Sequence, residues 1–149
     1  TGADLDSATL TGADLDSATL TGAQLRWATF TGADLDSATL TGADLNGATL
    51  TEADLGNATL IDPDLRKATL KKANLFNATL TNANFGDATL TDADLRRATL
   101  TGANFRHADL TGAKVTQSQL DQACGNDDTK LPAGLTIPSC RNGLPIRKE

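Results

Sequence analysis

An apolar residue stands at every fifth position from Leu5 to Val115. Of these 23 sites nineteen are Leu, three are Phe (Phe30, Phe85, Phe105) and one is Val. Two residues before each comes a small one, Ala at 22 sites and Pro63 at the other. A period of five suits neither regular element. On a helix it would spread the Leu residues around the whole circumference, and on a flat strand it would alternate them between faces. The small residue and the Leu are two apart, so they point to the same side of an extended segment. The other three positions must turn the chain. The pattern therefore predicts an all-β solenoid of short extended pieces and corners, with Ala and Leu inside.

The size of one coil follows from a longer period. The decapeptide TGADLDSATL fills residues 1–10 and recurs at 11–20 and 31–40. Pentapeptides centred on ADL or ANL alternate with those centred on ATL, so like stacks on like only when a coil holds a multiple of ten residues. Ten residues cannot enclose their own Leu side chains, which leaves twenty, in four sides. One interior column is then the ladder Leu5, Leu25, Leu45, Leu65, Phe85 and Phe105. Each buried Leu contributes on the order of 2 kcal/mol. Residues 3–117 make about 5.75 coils, a stack about 27 Å long at the usual strand spacing. Pro63 lacks an N–H and is expected to remove one ladder hydrogen bond without breaking the stack.

The residue before each Leu faces outward. On two opposite faces it is mostly Asp or Asn, and on the other two it is mostly Thr. Asp and Asn side chains bond the backbone of tight turns, and Thr suits stacked extended segments. A carboxylate ladder for hard cations is the alternative reading of the Asp columns; no glycine-rich calcium motif accompanies it, and no metal or cofactor is expected.

Charge divides the rod. Residues 1–60 carry nine acids and one base, a net of −8, whereas residues 61–122 carry seven acids and eight bases, a net of +1. The total of −6 argues against direct nucleic-acid binding. Such a dipole can steer a partner. Trp27 and Phe76 fall at outward positions among small neighbours, Trp27 between Ser7 and Gly47 in its column. With Asp4, Asp14, Asp34 and Asp54 they form the candidate interaction surface. No P-loop, GxSxG or HExxH motif occurs, His107 is the single histidine, and a dry Leu–Ala core offers no pocket. No catalytic residue is assigned and no enzyme activity is expected. No apolar run is long enough to span a membrane as a helix.

Tandem A(D/N)LXX over residues 3–117 resembles the pentapeptide-repeat proteins. The resemblance implies a right-handed quadrilateral β-helix with four pentapeptides per coil and a Leu or Phe ladder on its axis. It implies a non-enzymatic structural or binding scaffold. Some family members mimic duplex DNA and bind type II topoisomerases such as gyrase, which is the alternative function here. The near-identical decapeptides, and a start at Thr1 rather than Met, read as recent duplication, processing, truncation or design.

The repeat decays after Val115, which divides the chain into a β-helix over 1–115 and a C-terminal cap over 116–149. Thr116-Gln117-Ser118-Gln119 fits a capping box, so a short α-helix is expected over about 117–124, with Gly125 as its stop. A Pro-containing capping loop follows, from which Leu131, Leu135 and Ile137 fold back over the last coil. Cys124 and Cys140 bracket it and are expected to form a disulfide worth roughly 3 kcal/mol; in a reducing compartment they would be free thiols. Bonded, they favour an extracytoplasmic site, periplasm or lumen; free, a cytoplasmic one. Tails of this kind also follow the repeats in some family members. The first coil has no matching cap, and weak head-to-head homodimers through it are expected.

Overall fold

The computed structural model describes residues 1–141 and the backbone pairing of Leu144–Pro145; the other residues of the tail, 142–143 and 146–149, lie outside the described residues. Asp4 pairs with Gln24, Thr9 with Thr29, Asp14 with Asp34 and Thr19 with Thr39, all in parallel. The same offset of twenty residues continues without a slip to Asp94–Lys114. Four bridges per twenty residues give each coil four sides, as the repeat pattern predicts. Leu25, Leu45, Leu65, Phe85 and Phe105 are fully buried, and Phe85 and Phe105 stack with ring centroids 4.8 Å apart. Leu5, Leu10 and Leu15, in the first coil, are half-buried.

Each corner is a four-residue turn. Ala8 N–H donates to the Leu5 carbonyl at 3.0 Å, and Ser7 at the third position has φ 60°. That combination is the signature of a type II turn. Positive φ recurs at every fifth residue from Gly2 to Gly112, and fifteen of these residues are not glycine. Asn57, Asn77, Asn82, Asp62, Asp87 and Asp92 tolerate this region comparatively well; Trp27, Lys67 and Arg97 lack that advantage and are carried by the coil.

Counting backbone donors explains the outer columns. In a regular coil the Leu N–H and the positive-φ N–H donate to carbonyls nineteen residues ahead, as in Leu15 to Asp34 and Ser17 to Asp36. The N–H before the Leu donates twenty-one residues back, as in Asp34 to Ala13, and the Ala N–H closes the turn. One donor is left, on the first turn residue. On the Asx faces the side chain takes it: Asp16 N–H donates to Asp14 Oδ1, Asp36 N–H to Asp34 Oδ1 and Gly56 N–H to Asp54 Oδ1. On the Thr faces, among the described residues, only Asp109 captures this donor, taking the Thr111 N–H at 3.0 Å. Asp109 is the one acid in a Thr column. Gln24 is one methylene longer than its neighbours, and there Asp6, one coil away, accepts the Arg26 N–H instead.

The effect of Pro63 differs from the expectation. The ladder bond is intact, with Asn84 N–H donating to the Pro63 carbonyl at 3.0 Å and Asp44 paired with Asp64. The bond given up is the turn-closing one to Leu60, because in this repeat the small residue donates to its own turn and not to the ladder.

The cap begins with α1 (Gln117–Leu120), shorter than the expected 117–124. Thr116 and Gln119 form the capping box, and Leu120 is fully buried at the next place in the Leu80–Leu100 column. The Gln119 side-chain amide donates to the carbonyls of Leu95 and Ala98. The helix stops because the chain rejoins the coil, where Cys124 pairs with Asn104 and, after a one-residue insertion, Lys130 pairs with Asp109. Gly125 is accordingly no helix stop. It pairs with Ser139, and a Cβ there would press on Thr129 Oγ1 and Ile137 Cγ2. Leu131, Leu135 and Ile137 pack on the core. Cys124 and Cys140 are joined in a disulfide, and β1 (Cys140–Arg141) pairs antiparallel with β2 (Leu144–Pro145).

The donor count yields a mutational contrast. Asp54→Ala leaves the buried Gly56 N–H and the Asn74 amide without their acceptor, and is expected to cost about 1–3 kcal/mol. Thr59→Ala, at the equivalent place on a Thr face, removes only strand preference and is expected to stay within about 1 kcal/mol. Urea denaturation of both variants checks this; equal losses would contradict the division of labour between columns.

Candidate interaction surface

The residues singled out from sequence fall into two groups on opposite faces. Asp14, Asp34 and Asp54 stack directly, one per coil, in a single column of parallel bridges. Phe76 stands at the corner that follows this column, above Gly56. Asp4 lies across the rod in the column it shares with Gln24 and Asp44, and Trp27 lies at the corner following that one. The structure therefore brings Asp14, Asp34, Asp54 and Phe76 onto one side, and Asp4 and Trp27 onto the other.

Trp27 is 60% exposed. Its indole covers Gly47 one coil on, where any Cβ would overlap the ring. The small residue next to Trp27 in its column thus has a steric basis. Phe76 is half-buried and carries two cations: the guanidinium carbons of Arg96 and Arg97 lie 5.8 Å and 5.7 Å from its ring centroid. The twenty-residue offset already places Phe76 beside Gly56 and Arg96, and the structure bears this out; the second cation, Arg97, is one residue off that column and does not follow from the offset. Phe76 is consequently part of a basic corner, while the acidic run ends at Asp54.

Within the acidic run, carboxylates accept hydrogen bonds from amides of the next coil. Asn57 donates to Asp36 Oδ1 at 2.9 Å, Asn74 to Asp54 Oδ1 at 2.8 Å and Asn77 to Asn57 Oδ1 at 3.0 Å. Each amide bridges consecutive coils without adding charge. One oxygen of Asp14, Asp34 and Asp54 serves the turn, so these side chains are fixed in direction while their outer oxygens face solvent. Among the described residues, no group of three or more His, Cys, Asp or Glu side chains is placed to hold a metal ion.

Three arginines are paired locally. Arg66 Nη2 lies 2.6 Å from Asp64 Oδ2, Arg96 Nη2 2.6 Å from Asp94 Oδ2 and Arg26 Nη2 2.6 Å from Asp6 Oδ2. The Arg26 hydrogen bond holds the Asp6 carboxyl below the usual range, and the Arg96 hydrogen bond does the same for Asp94. At Asp64 partial burial pushes upward, but the side-chain and backbone hydrogen bonds from Arg66 outweigh it and the carboxyl titrates low. At the cap His107 Nδ1 lies 3.2 Å from Asp128 Oδ2, and the His107 N–H donates to Asn126 Oδ1. This clasp between the sixth coil and the capping loop has no periodic signature and was not legible in the sequence.

Carboxyls that titrate lower in the folded chain than the unfolded value of about 3.9 stabilise it above that pH and cease to as pH falls through the lowered folded values. The melting temperature of the Arg66→Gln, Arg96→Gln double variant is therefore expected to lie below that of the parent near neutral pH. The gap is expected to close as pH falls toward about 3. Circular dichroism melts across that range check this, and a gap independent of pH would contradict it.

Models of pentapeptide repeats match the chain over residues 1–36, 30–62 and 88–124, and a second such model over 55–99. Among solved structures, one similar protein is HetL, a pentapeptide repeat protein involved in heterocyst differentiation regulation from the cyanobacterium Nostoc sp. strain PCC 7120. It is 32% identical over 92% of this chain and 75% of its own, with a TM-score of 0.37. The pentapeptide repeat protein Rfr23 from the cyanobacterium Cyanothece 51142 is 34% identical, covering 66% of this chain, which spans 63% of Rfr23, with a TM-score of 0.36. QnrB1, a plasmid-mediated fluoroquinolone resistance protein, is 19% identical over 83% of this chain and 64% of its own, with a TM-score of 0.56. A search of curated proteins finds no match. With its twenty-residue coil and its inward apolar residue at every fifth position, the chain belongs to the pentapeptide repeat family and folds as that family's right-handed quadrilateral β-helix.

Proposed function

We propose that the chain is a non-enzymatic binding scaffold that presents its acidic column to a basic patch on a protein partner. One observation carries this reading. Asp14, Asp34 and Asp54 are fixed by their own turns in a single column, with Asp16 and Asp36 beside them. From Asp14 to Asp54 is two coil spacings, about 10 Å, and the five carboxylates stand at three levels about 4.8 Å apart, two of them doubled. That charge density is of the same order as one phosphate per about 3.4 Å along one strand of duplex DNA. A surface of this kind attracts protein sites built for a nucleic-acid backbone, and it does so without binding nucleic acid itself. Membership of the family supports the scaffold role. The Cys124–Cys140 disulfide supports an oxidising compartment.

A type II topoisomerase is the more specific partner, favoured by the charge spacing and by the fold shared with QnrB1. The basic corner of Phe76, Arg96 and Arg97 works against it, since it interrupts the acidic surface after the third coil. DNA gyrase supercoiling, measured with the chain added at micromolar concentration, separates the two. Inhibition or protection that is abolished by Asp14→Asn, Asp34→Asn supports the topoisomerase partner. An unaffected enzyme leaves the general scaffold reading and removes the specific one. The scaffold reading is tested by affinity capture on the parent chain and on the same double variant: a partner retained equally by both would contradict the role of the acidic column.

A further inference from the structure

The face centred on Thr39 and Thr59 is the least like a protein-binding surface and the most regular. Its first column runs from Thr19 to Thr99, one threonine per coil, each paired with the next in a parallel ladder. Its second column runs from Thr21 to Thr101, with Ile61 as its one non-threonine. The two columns flank the inward Leu20–Leu100 column, so both project to the outside of one side of the rod. Its two columns hold no ionisable side chain; the charges nearest to them, Asp16, Asp36, Asp62, Arg96 and Arg97, stand at its corners. The other Thr face has Lys71 and Asp109 within its columns, and Arg66, Lys67 and Lys72 at its corners.

The hydroxyls of this face, and the N–H groups of its second column, have no work within the protein. Among the described residues, no hydroxyl in the array donates to or accepts from a protein group, and the N–H groups of the second column make no hydrogen bond either. The Asx faces, by contrast, direct their side-chain oxygens to the turns. Strand preference alone accounts for Thr in the first column, but not for Thr in the second, which belongs to the turn and on the Asx faces holds Asp, Arg, Asn, Gly and Phe. The result is a grid of methyl and hydroxyl groups held rigid by the main-chain ladder. Its spacing is about 4.8 Å along the rod and about 6.6 Å across it, from strand separation and the rise of two extended residues.

We propose that this face binds ice. Charge selects the occupant: the grid itself holds no ionisable side chain over five coils, so a nucleic acid, a charged membrane or an acidic or basic protein finds its partners only at the corners, whereas a neutral lattice fits the grid. Geometry selects it further. The spacing along the rod is close to an oxygen repeat of hexagonal ice and that across it is shorter than the next repeat, so waters bonded to successive hydroxyls and N–H groups along each column stand near lattice register before contact. Such waters cost little to immobilise because the scaffold has already ordered their partners. The threonine methyls add apolar area that is released from liquid water on binding. This function is independent of the acidic column and of the partner proposed for it.

The test is thermal hysteresis, the gap between melting and freezing of a single seed crystal, together with the shape of that crystal. The parent chain is expected to open a gap and to facet the crystal where an equal mass of albumin does neither. Thr59→Lys places a charge at the centre of the grid and is expected to abolish the gap. Ser7→Lys, at the far corner of the rod where Lys67 already occupies the same column, is expected to leave it intact. Melts by circular dichroism establish that both variants fold. Should Thr59→Lys not fold, Thr59→Val keeps the branched shape, removes one hydroxyl, and is expected to narrow the gap. No faceting by the parent, an undiminished gap in a folded Thr59 variant, or equal loss in Ser7→Lys would overturn the proposal. Self-association of the parent by sedimentation, abolished by Thr59→Lys, would assign the face to a second copy and overturn it equally.

Discussion

Everything in this molecule depends on a main-chain ladder whose partners are always twenty residues apart. Fixing that offset fixes four corners per coil, and fixing the corners decides which residue of each five points inward. The Leu columns satisfy the hydrophobic requirement, but they do not set the register by themselves, since one Leu looks like another. Register is held by backbone bonds in both directions from every pentapeptide and by the positive-φ residue at each turn. That conformation is unfavourable for Trp27 or Lys67 in isolation and is retained because each corner is locked to the coils beside it. Short extended pieces that would be unstable alone become stable by stacking.

The periodic part of the structure was legible because it is repeated so often. Coil length, inward residues and the side to which each Asp or Thr belongs all follow from offsets of five and twenty. What was not legible lies where the chain departs from the period or where two positions interact. Pro63 was assigned to the wrong hydrogen bond because sequence shows that an N–H is missing, not which acceptor it would have served. The helix was drawn too long because Ala123 and Cys124 read equally well as helix or as coil, and only the ladder to Asn104 decides. The Phe76 clamp and the His107–Asp128 clasp depend on side-chain reach across coils and into the cap.

The donor count links the scaffold to its surfaces. Each pentapeptide has one backbone donor that neither the ladder nor the turn-closing bond uses, and on the Asx faces the Asp or Asn before the Leu captures it. Faces built this way have fixed, outward carboxylates and suit charged partners. Faces built with Thr leave the donor and the hydroxyl to solvent. One repeat thus produces two chemically different pairs of sides from a single backbone, with an uncharged grid at right angles to an acidic column. The same logic explains Asp109, Gln24 and Lys114, positions where a column changes residue and the hydrogen bond moves with it, the Thr116 N–H after Lys114 going to Gln119 Oε1.

The central claim is that every fifth residue faces a sealed interior set by the twenty-residue coil. Leu55 lies in the third coil, fully buried, with Leu35 and Leu75 on either side of it in the same column. The melting temperature of Leu55→Asp measured against that of the parent is the most direct test. A carboxylate there has no partner and no water, and the account predicts a loss of several kcal/mol, enough to unfold the rod or lower its melting point by about 10 °C or more. A shift of only a degree or two would place Leu55 outside the core and contradict the coil assignment.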